Sequence, residues 1–325
     1  MMDLVEVAPR VHACIRPDRG LGWSNSGLVA TGGGLVVDSF YDLPSTRALA
    51  DLYATVLPEA PRRLLNTHHN GDHCWGNQVF EGAEIIGHRL CAENMFREVG
   101  PEVITAMCQS DDLPPFLEHL AEGYREFDFE GITLTPPTTF VEERMDLGLD
   151  EIRVELHHVG PAHTGGDVVA WLPDEGVLFC GDILFNQCTP IGWDGTFDGW
   201  IGALERLIAW APETVVPGHG PLCGVEGLAG MRDYLVYVRD ESREHWEAGR
   251  TVLEACRRID LGPYAAWNEP WRLPSQVARA YRELDGIAWD EPFDVLAVFS
   301  DVDELRREML GSAEAGSGEA GSAEP

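Results

Sequence analysis

The sequence of 325 residues contains no lysine; all 23 of its basic side chains are arginine. That absence removes a Schiff-base or general-base lysine. It also removes the phosphate-cradling Walker A loop, which requires one. Positive charge of any kind is scarce against 55 Asp and Glu residues, and the net charge is -32. So acidic a surface repels phosphate backbones, and no nucleic-acid partner is expected. No run approaches the roughly 18 apolar residues of a membrane span, so no membrane partner is expected either. The opening MMDLVEVAPRVHACIRPD has no basic stretch followed by an apolar one, which makes a cytoplasmic protein the expectation. Cys14, Cys74, Cys91, Cys108, Cys180, Cys188, Cys223 and Cys256 include no C-x-x-C pair. They read as reduced thiols, most of them small buried apolar side chains.

Hydrophobic residues make up 44% of the chain, enough for a real core. VHACIRP and SNSGLVATGGGLVVDSF read as paired strands, with Gly32 to Gly34 as the turn rather than a phosphate loop. Leu43 to Leu57 has a helical pattern, and RRLLNT and AEIIGH read as strands. Residues 89–140 form a less regular, lid-like insertion. EIRVELHHV, DVVAWLP and VLFCGD are strand-like; a helix follows near Trp200 to Trp210, then the strand TVVPGHG. A long helix is predicted over Leu228–Ile259 and a shorter one over Ser275–Leu284. The expected domains are a catalytic core over residues 1–224, a helical extension over 225–310 packed on it, and a disordered acidic tail over 311–325. Strands, helix, strands and helix in this order suggest an α/β fold, a four-layer αβ/βα sandwich of two mixed sheets with outer helices.

Four segments concentrate metal-binding groups: Thr67-His68-His69-Asn70-Gly71-Asp72-His73, Gly160-Pro161-Ala162-His163, Cys180-Gly181-Asp182 and Pro217-Gly218-His219-Gly220. Each sits at a predicted strand end beside glycine, where backbones crowd closely while side chains project inward. Imidazole nitrogens and carboxylate oxygens are the donors zinc accepts. One such segment means little; four in this arrangement form a candidate site.

The order H-x-N-x-D-H, G-x-x-HTGGD, GD and PGHG resembles the metallo-β-lactamase superfamily over roughly Val5 to Gly224. The resemblance implies one metal site from His68, Asn70 and His163, a second from Asp72, His73 and His219, and Asp182 bridging them. His69 would point away from the ligands. Asn70 is a departure, because the family pattern has His there, and an amide oxygen is the weaker zinc ligand. The expectation is therefore one tight Zn2+ and a second, weaker site that suits a harder ion such as Mn2+ or Fe2+.

The chemistry so implied is hydrolysis, with Asp72 and Asp182 as the catalytic carboxylates. Water held by the metals ionises near neutral pH, and the hydroxide attacks an ester, thioester or lactone carbonyl. A β-lactamase proper is disfavoured by Asp182, where that group carries Cys, and by the missing lysine. Trp75, Phe185 and Trp193 are candidate substrate contacts in an apolar mouth, suiting a small molecule with an apolar acyl or aromatic part. A polyketide-type cyclase or thioesterase using the metal as a Lewis acid, and a mononuclear iron dioxygenase, are alternatives. The sequence leaves the oligomeric state open.

Overall fold

A computed structural model describes residues 2–17 and 19–319 of the chain. The elements in order are β1 (Asp3–Ala8), β2 (Val11–Ile15), β3 (Ser26–Val29), β4 (Leu35–Val37), α1 (Leu43–Ala54), β5 (Arg63–Leu65), α2 (Gly71–Cys74) and β6 (Glu84–Gly87). There follow α3 (Arg89–Asn94), α4 (Pro101–Cys108), α5 (Pro115–Tyr124), β7 (Thr139–Phe140), β8 (Arg144–Leu149), β9 (Ile152–His158), β10 (Val168–Leu172) and β11 (Val177–Phe179). The last are α6 (Phe197–Ala209), β12 (Thr214–Val216), α7 (Val225–Glu247), α8 (Val252–Cys256), α9 (Leu273–Leu284) and α10 (Val295–Glu319).

The strands make two mixed sheets. One has the order β1-β2-β3-β4-β5-β6-β7, antiparallel up to β4 and parallel beyond it. The other has the order β12-β11-β10-β9-β8, with only β11 and β12 parallel. Parallel neighbours need a crossover, and α1 supplies it between β4 and β5 and α6 between β11 and β12.

Side chains alternate across each strand and so divide the core. Leu35 and Val37 of β4 turn toward the second sheet, where they meet Leu156, Val168, Ala170 and Phe179. Val36 turns the other way, onto Leu49 and Tyr53 of α1. The outer face of the second sheet is covered by α6 and by helices beyond residue 224. Leu178, Val215, Trp200 and Leu204 share one buried cluster with Leu228, Met231, Tyr234, Val277 and Leu305. This is the four-layer α/β sandwich expected from the sequence.

Three features differ from expectation or extend it. The long helix stops at Glu247 because Gly249 takes a left-handed φ of 69° and Thr251 opens α8 with a capping box. The insertion at 89–140 carries α3, α4 and α5, and its Met95, Ile104, Phe127 and Phe129 pack with Tyr41 and Trp75. The backbone of α10 runs on to Glu319, through most of the stretch expected to be disordered; residues 320–325 lie outside the described ones. Six of the eight cysteines are buried. No helix among the described residues is long and apolar enough to cross a membrane.

Candidate metal centre

The candidate residues leave the sheets at neighbouring strand ends. His68 follows β5 by three residues, and the single turn of α2 places Asp72 and His73. His163 lies between β9 and β10, Asp182 after β11, and His219 after β12. Glycine permits the approach of the last two: a Cβ on Gly218 would run into the Asp182 carboxylate, and Gly181 adopts a φ of 50° against Thr67. Asn25 ties the β2–β3 loop to the same place, its Nδ2 donating to the carbonyls of Pro217 (3.0 Å) and Gly220 (2.9 Å).

The ligand atoms of Asp72, His73 and His219 form one group, and those of His68, His73 and Asp182 another. His73 Nε2 lies 3.1 Å from Asp182 Oδ1, 3.7 Å from Asp72 Oδ2 and 3.5 Å from His219 Nε2. His219 Nε2 lies 3.3 Å from Asp72 Oδ2 and 3.5 Å from Asp182 Oδ2. Donors arranged tetrahedrally about 2.1 Å from one ion stand about 3.4 Å apart, and the three separations among Asp72, His73 and His219 are close to that. Asp182 Oδ2 also lies 3.7 Å from His68 Nε2 and 3.5 Å from His163 Nε2.

Hydrogen bonds aim the imidazoles. Asp38, buried at the end of β4, accepts from His73 Nδ1 at 2.9 Å and from the Thr67 backbone N–H and hydroxyl, each at 2.7 Å. Having given its proton to Asp38, the Thr67 oxygen accepts from His68 Nδ1 at 3.0 Å. Both histidines thereby keep a proton on Nδ1 and turn Nε2 into the site, an assignment made from the network. His68 Nε2 is buried with no hydrogen-bond partner in the protein. A cation is the partner such an orphan suits.

The electrostatics agree. Burial works against charging Asp182, yet His219 and His73 hold its pKa well below the ordinary value. Asp72 is lowered against its own burial by His73 and His219. Burial likewise opposes a proton on His219, but Asp182 and Asp72 raise it to about 9, and His73 is held well above its usual value in the same way. Burial lowers His163 to about 4 and His68 well below normal. The pocket thus balances two carboxylates with two imidazolium protons, positive charge that a divalent cation can replace.

A family model described as "Metallo-beta-lactamase superfamily" matches residues 19–219. The chain belongs to the metallo-β-lactamase superfamily. Among curated relatives it is 23% identical over 302 residues to a linear primary-alkylsulfatase of a Pseudomonas strain, covering 82% of this chain and 57% of that one. It is 26% identical over 275 residues to a hydroxyacylglutathione hydrolase of Rhodospirillum rubrum, covering 82% and 88%. An inverting sec-alkylsulfatase structure from Pseudomonas superposes with a TM-score of 0.67 at 16% identity, covering 91% of this chain and 52% of that one. The chain therefore spans little more than half the length of the alkylsulfatases it matches.

Against the superfamily's H-x-H-x-D-H pattern, Asn70 presents an amide. Its Oδ1 lies 2.8 Å from His163 Nε2, and its Nδ2 donates to Glu98 Oε1 at 2.5 Å. His69 points away from the donor group, its Nε2 lying 3.5 Å from Glu98 Oε1 and 3.8 Å from Asp194 Oδ2. Burial, with the charge of Asp194, raises Glu98 to about 8.

The expected aromatic mouth is only partly there. Trp75, 2% exposed, packs against Tyr41 and Phe129, and Phe185, 1% exposed, stacks on the His219 ring at 5.0 Å. Neither lines an open surface, because large rings beside the ligands are needed to fill the space under them. Trp193 is half-buried, against Phe299. Cys74 donates to the His69 and Asn70 carbonyls, and burial raises its pKa well above normal, so the thiol is a packing group. Asp38, Thr67 and Glu98 were not singled out in the sequence. The first had a usable signal, a carboxylate closing an apolar strand as Asp182 does.

Proposed function

We propose that the protein is a metal-dependent hydrolase that cleaves a carboxylic ester, thioester or lactone in a small molecule with an apolar acyl or aromatic part. The observation carrying this reading is the meeting of His68, Asp72, His73, His163, Asp182 and His219, from four separate strand ends, at donor spacings that fit a divalent ion. Asp72, His73 and His219 would hold one ion and His68, His163 and Asn70 the other, with Asp182 between them. Zinc suits the first set, and the set containing an amide suits a harder ion.

When bound, such an ion would polarise a carbonyl and lower the pKa of bound water from 15.7 to about 7. The chain's own groups do the rest. Asp38 and Thr67 fix the direction of two imidazoles before any substrate arrives, so no reorganisation is needed at the moment of reaction. Asp72, whose side chain is 14% exposed, is the more open of the two acidic donors. Its depressed pKa keeps it charged, so it orients attacking water by accepting a hydrogen bond rather than by donating one. Phe185 and Trp200, packed at the His219 and His163 rings, keep bulk water from the back of the site and strengthen every charge interaction within it.

The names of the relatives favour a second substrate class. The alkylsulfatase match reaches beyond the core into the helices after residue 224, which supports testing a sulfate ester as well. The deciding experiment assays thioesters, aryl esters, lactones and alkyl sulfates with ion-loaded and chelated protein. Ion-dependent hydrolysis of one class is expected. A product cyclised or isomerised without water uptake would point to the cyclase, oxygen consumption with one bound iron to the dioxygenase, and no turnover of any class would overturn the reading.

A further inference from the structure

We propose that Glu98 is a positioning residue that fixes which end of the Asn70 amide faces the ion site. The inference rests on the metal-binding reading above. An imidazole at position 70 would present a nitrogen lone pair by its own tautomer. An amide is an oxygen ligand in one orientation and an N–H donor in the other, and only the first attracts a cation.

The surroundings choose between the two. Asn70 Nδ2 lies 2.5 Å from Glu98 Oε1, and Asn70 Oδ1 lies 2.8 Å from His163 Nε2. Glu98 Oε1 faces the amide as an acceptor whether or not Oε2 carries a proton, so the NH2 group belongs on its side. Flipping the amide would set oxygen against oxygen at Glu98 and aim two N–H bonds beside His163, where a cation would be repelled. Glu98 is itself held. It stands between Met95, sunk in the aromatic cluster at 2% exposure, and the buried Pro101, and its Oε1 also lies 3.5 Å from His69 Nε2. The insertion at 89–140 thus reaches the site through one carboxylate. That contact compensates for the missing histidine by turning the weaker ligand the right way round.

The test measures stepwise ion affinities by competition with a chromophoric chelator, together with the cobalt-loaded absorption spectrum, in wild type, Glu98→Ala, Glu98→Gln and the same changes on Asn70→His. Glu98→Ala should weaken the second ion about tenfold or more while the first is unchanged, as for other partners that orient ligands. Glu98→Gln, whose amide oxygen still accepts from Asn70, should stay close to wild type. On the Asn70→His background the Glu98 changes should no longer matter. Glu98→Leu, which fills the side chain's volume, gives the same reading should the alanine variant not fold. Two ions held as tightly in Glu98→Ala as in wild type, equal losses in Ala and Gln, or a loss that persists on the Asn70→His background would each overturn the proposal. If wild type binds no ion, the proposal falls together with the functional reading. If it binds two ions yet hydrolyses nothing, only the functional reading falls.

Discussion

Replacing Asp38 with Asn should disarm the site without touching a residue that meets the ion. Asp38 is 2% exposed and receives three hydrogen bonds, two of them on Oδ2, from Thr67 Oγ1 and His73 Nδ1. Asparagine keeps the shape but has one oxygen. If that oxygen stays on the Thr67 backbone N–H, the new NH2 group faces both Thr67 Oγ1 and His73 Nδ1. His73 must then accept at Nδ1 and carry its proton on Nε2, pointing at Asp72 and Asp182. Thr67 must accept from the amide and donate to His68, which moves the His68 proton to Nε2 as well. Two lone pairs aimed at the site become two N–H bonds.

Loss of an orienting partner costs about 10- to 100-fold in metal affinity, or about 1.4–2.8 kcal/mol, and here both ion positions lose one. The opposite amide orientation spares His73 but leaves the Thr67 N–H facing a donor, at about 1–3 kcal/mol of folding stability. The assay is ion affinity by chelator competition together with the melting temperature of the chelated protein. Unchanged affinities for both ions with an unchanged melting temperature would refute the tautomer reasoning.

Brief chelation should strip one ion before the other, and Asn70→His should raise retention of the weaker one; elemental analysis showing two equally retained metals in wild type would contradict this. Ion binding must displace protons from His73 and His219, so affinity should rise from pH 6.5 to about 9 with proton release visible by calorimetry in buffers of different ionisation enthalpy. Because His219 is raised in the fold, its contribution to the chelated protein is fully present below pH 6.5 and lost as pH rises through about 9. The melting temperature of the chelated form should therefore lose that contribution over this window, and a melting curve with no His219-dependent change there would count against it. Trp200→Ala, which removes a fully buried ring bonded to the Ile183 carbonyl at 3.0 Å and packed on His163, should cost about 3–5 kcal/mol in denaturant unfolding.

The strand ends were legible because glycine and apolar runs punctuate them, as at Gly32–Gly34 and around Gly181 and Gly218. The donors were legible because they sit in short motifs whose residue types have few other uses together. What was hidden depends on tertiary approach. Glu98 meets Asn70 only because the path after α3 brings it there, across 28 residues of sequence. Thr67 looks like an ordinary strand-end hydroxyl until Asp38 is placed beside it. Trp75 and Phe185 have the composition of a substrate mouth or of a core, and burial decides for the core. The helix break at Gly249 is set by one backbone angle that the apolar periodicity passes over.

Locating a bound ion tests the metal centre most directly. Crystals of the metal-loaded protein measured at the absorption edge of the bound metal would locate it by anomalous scattering. The strongest peak should fall among Asp72 Oδ2, His73 Nε2, Asp182 and His219 Nε2, about 2.0–2.2 Å from each. A saturated protein with no peak there, or with its metal held elsewhere, would contradict the central claim.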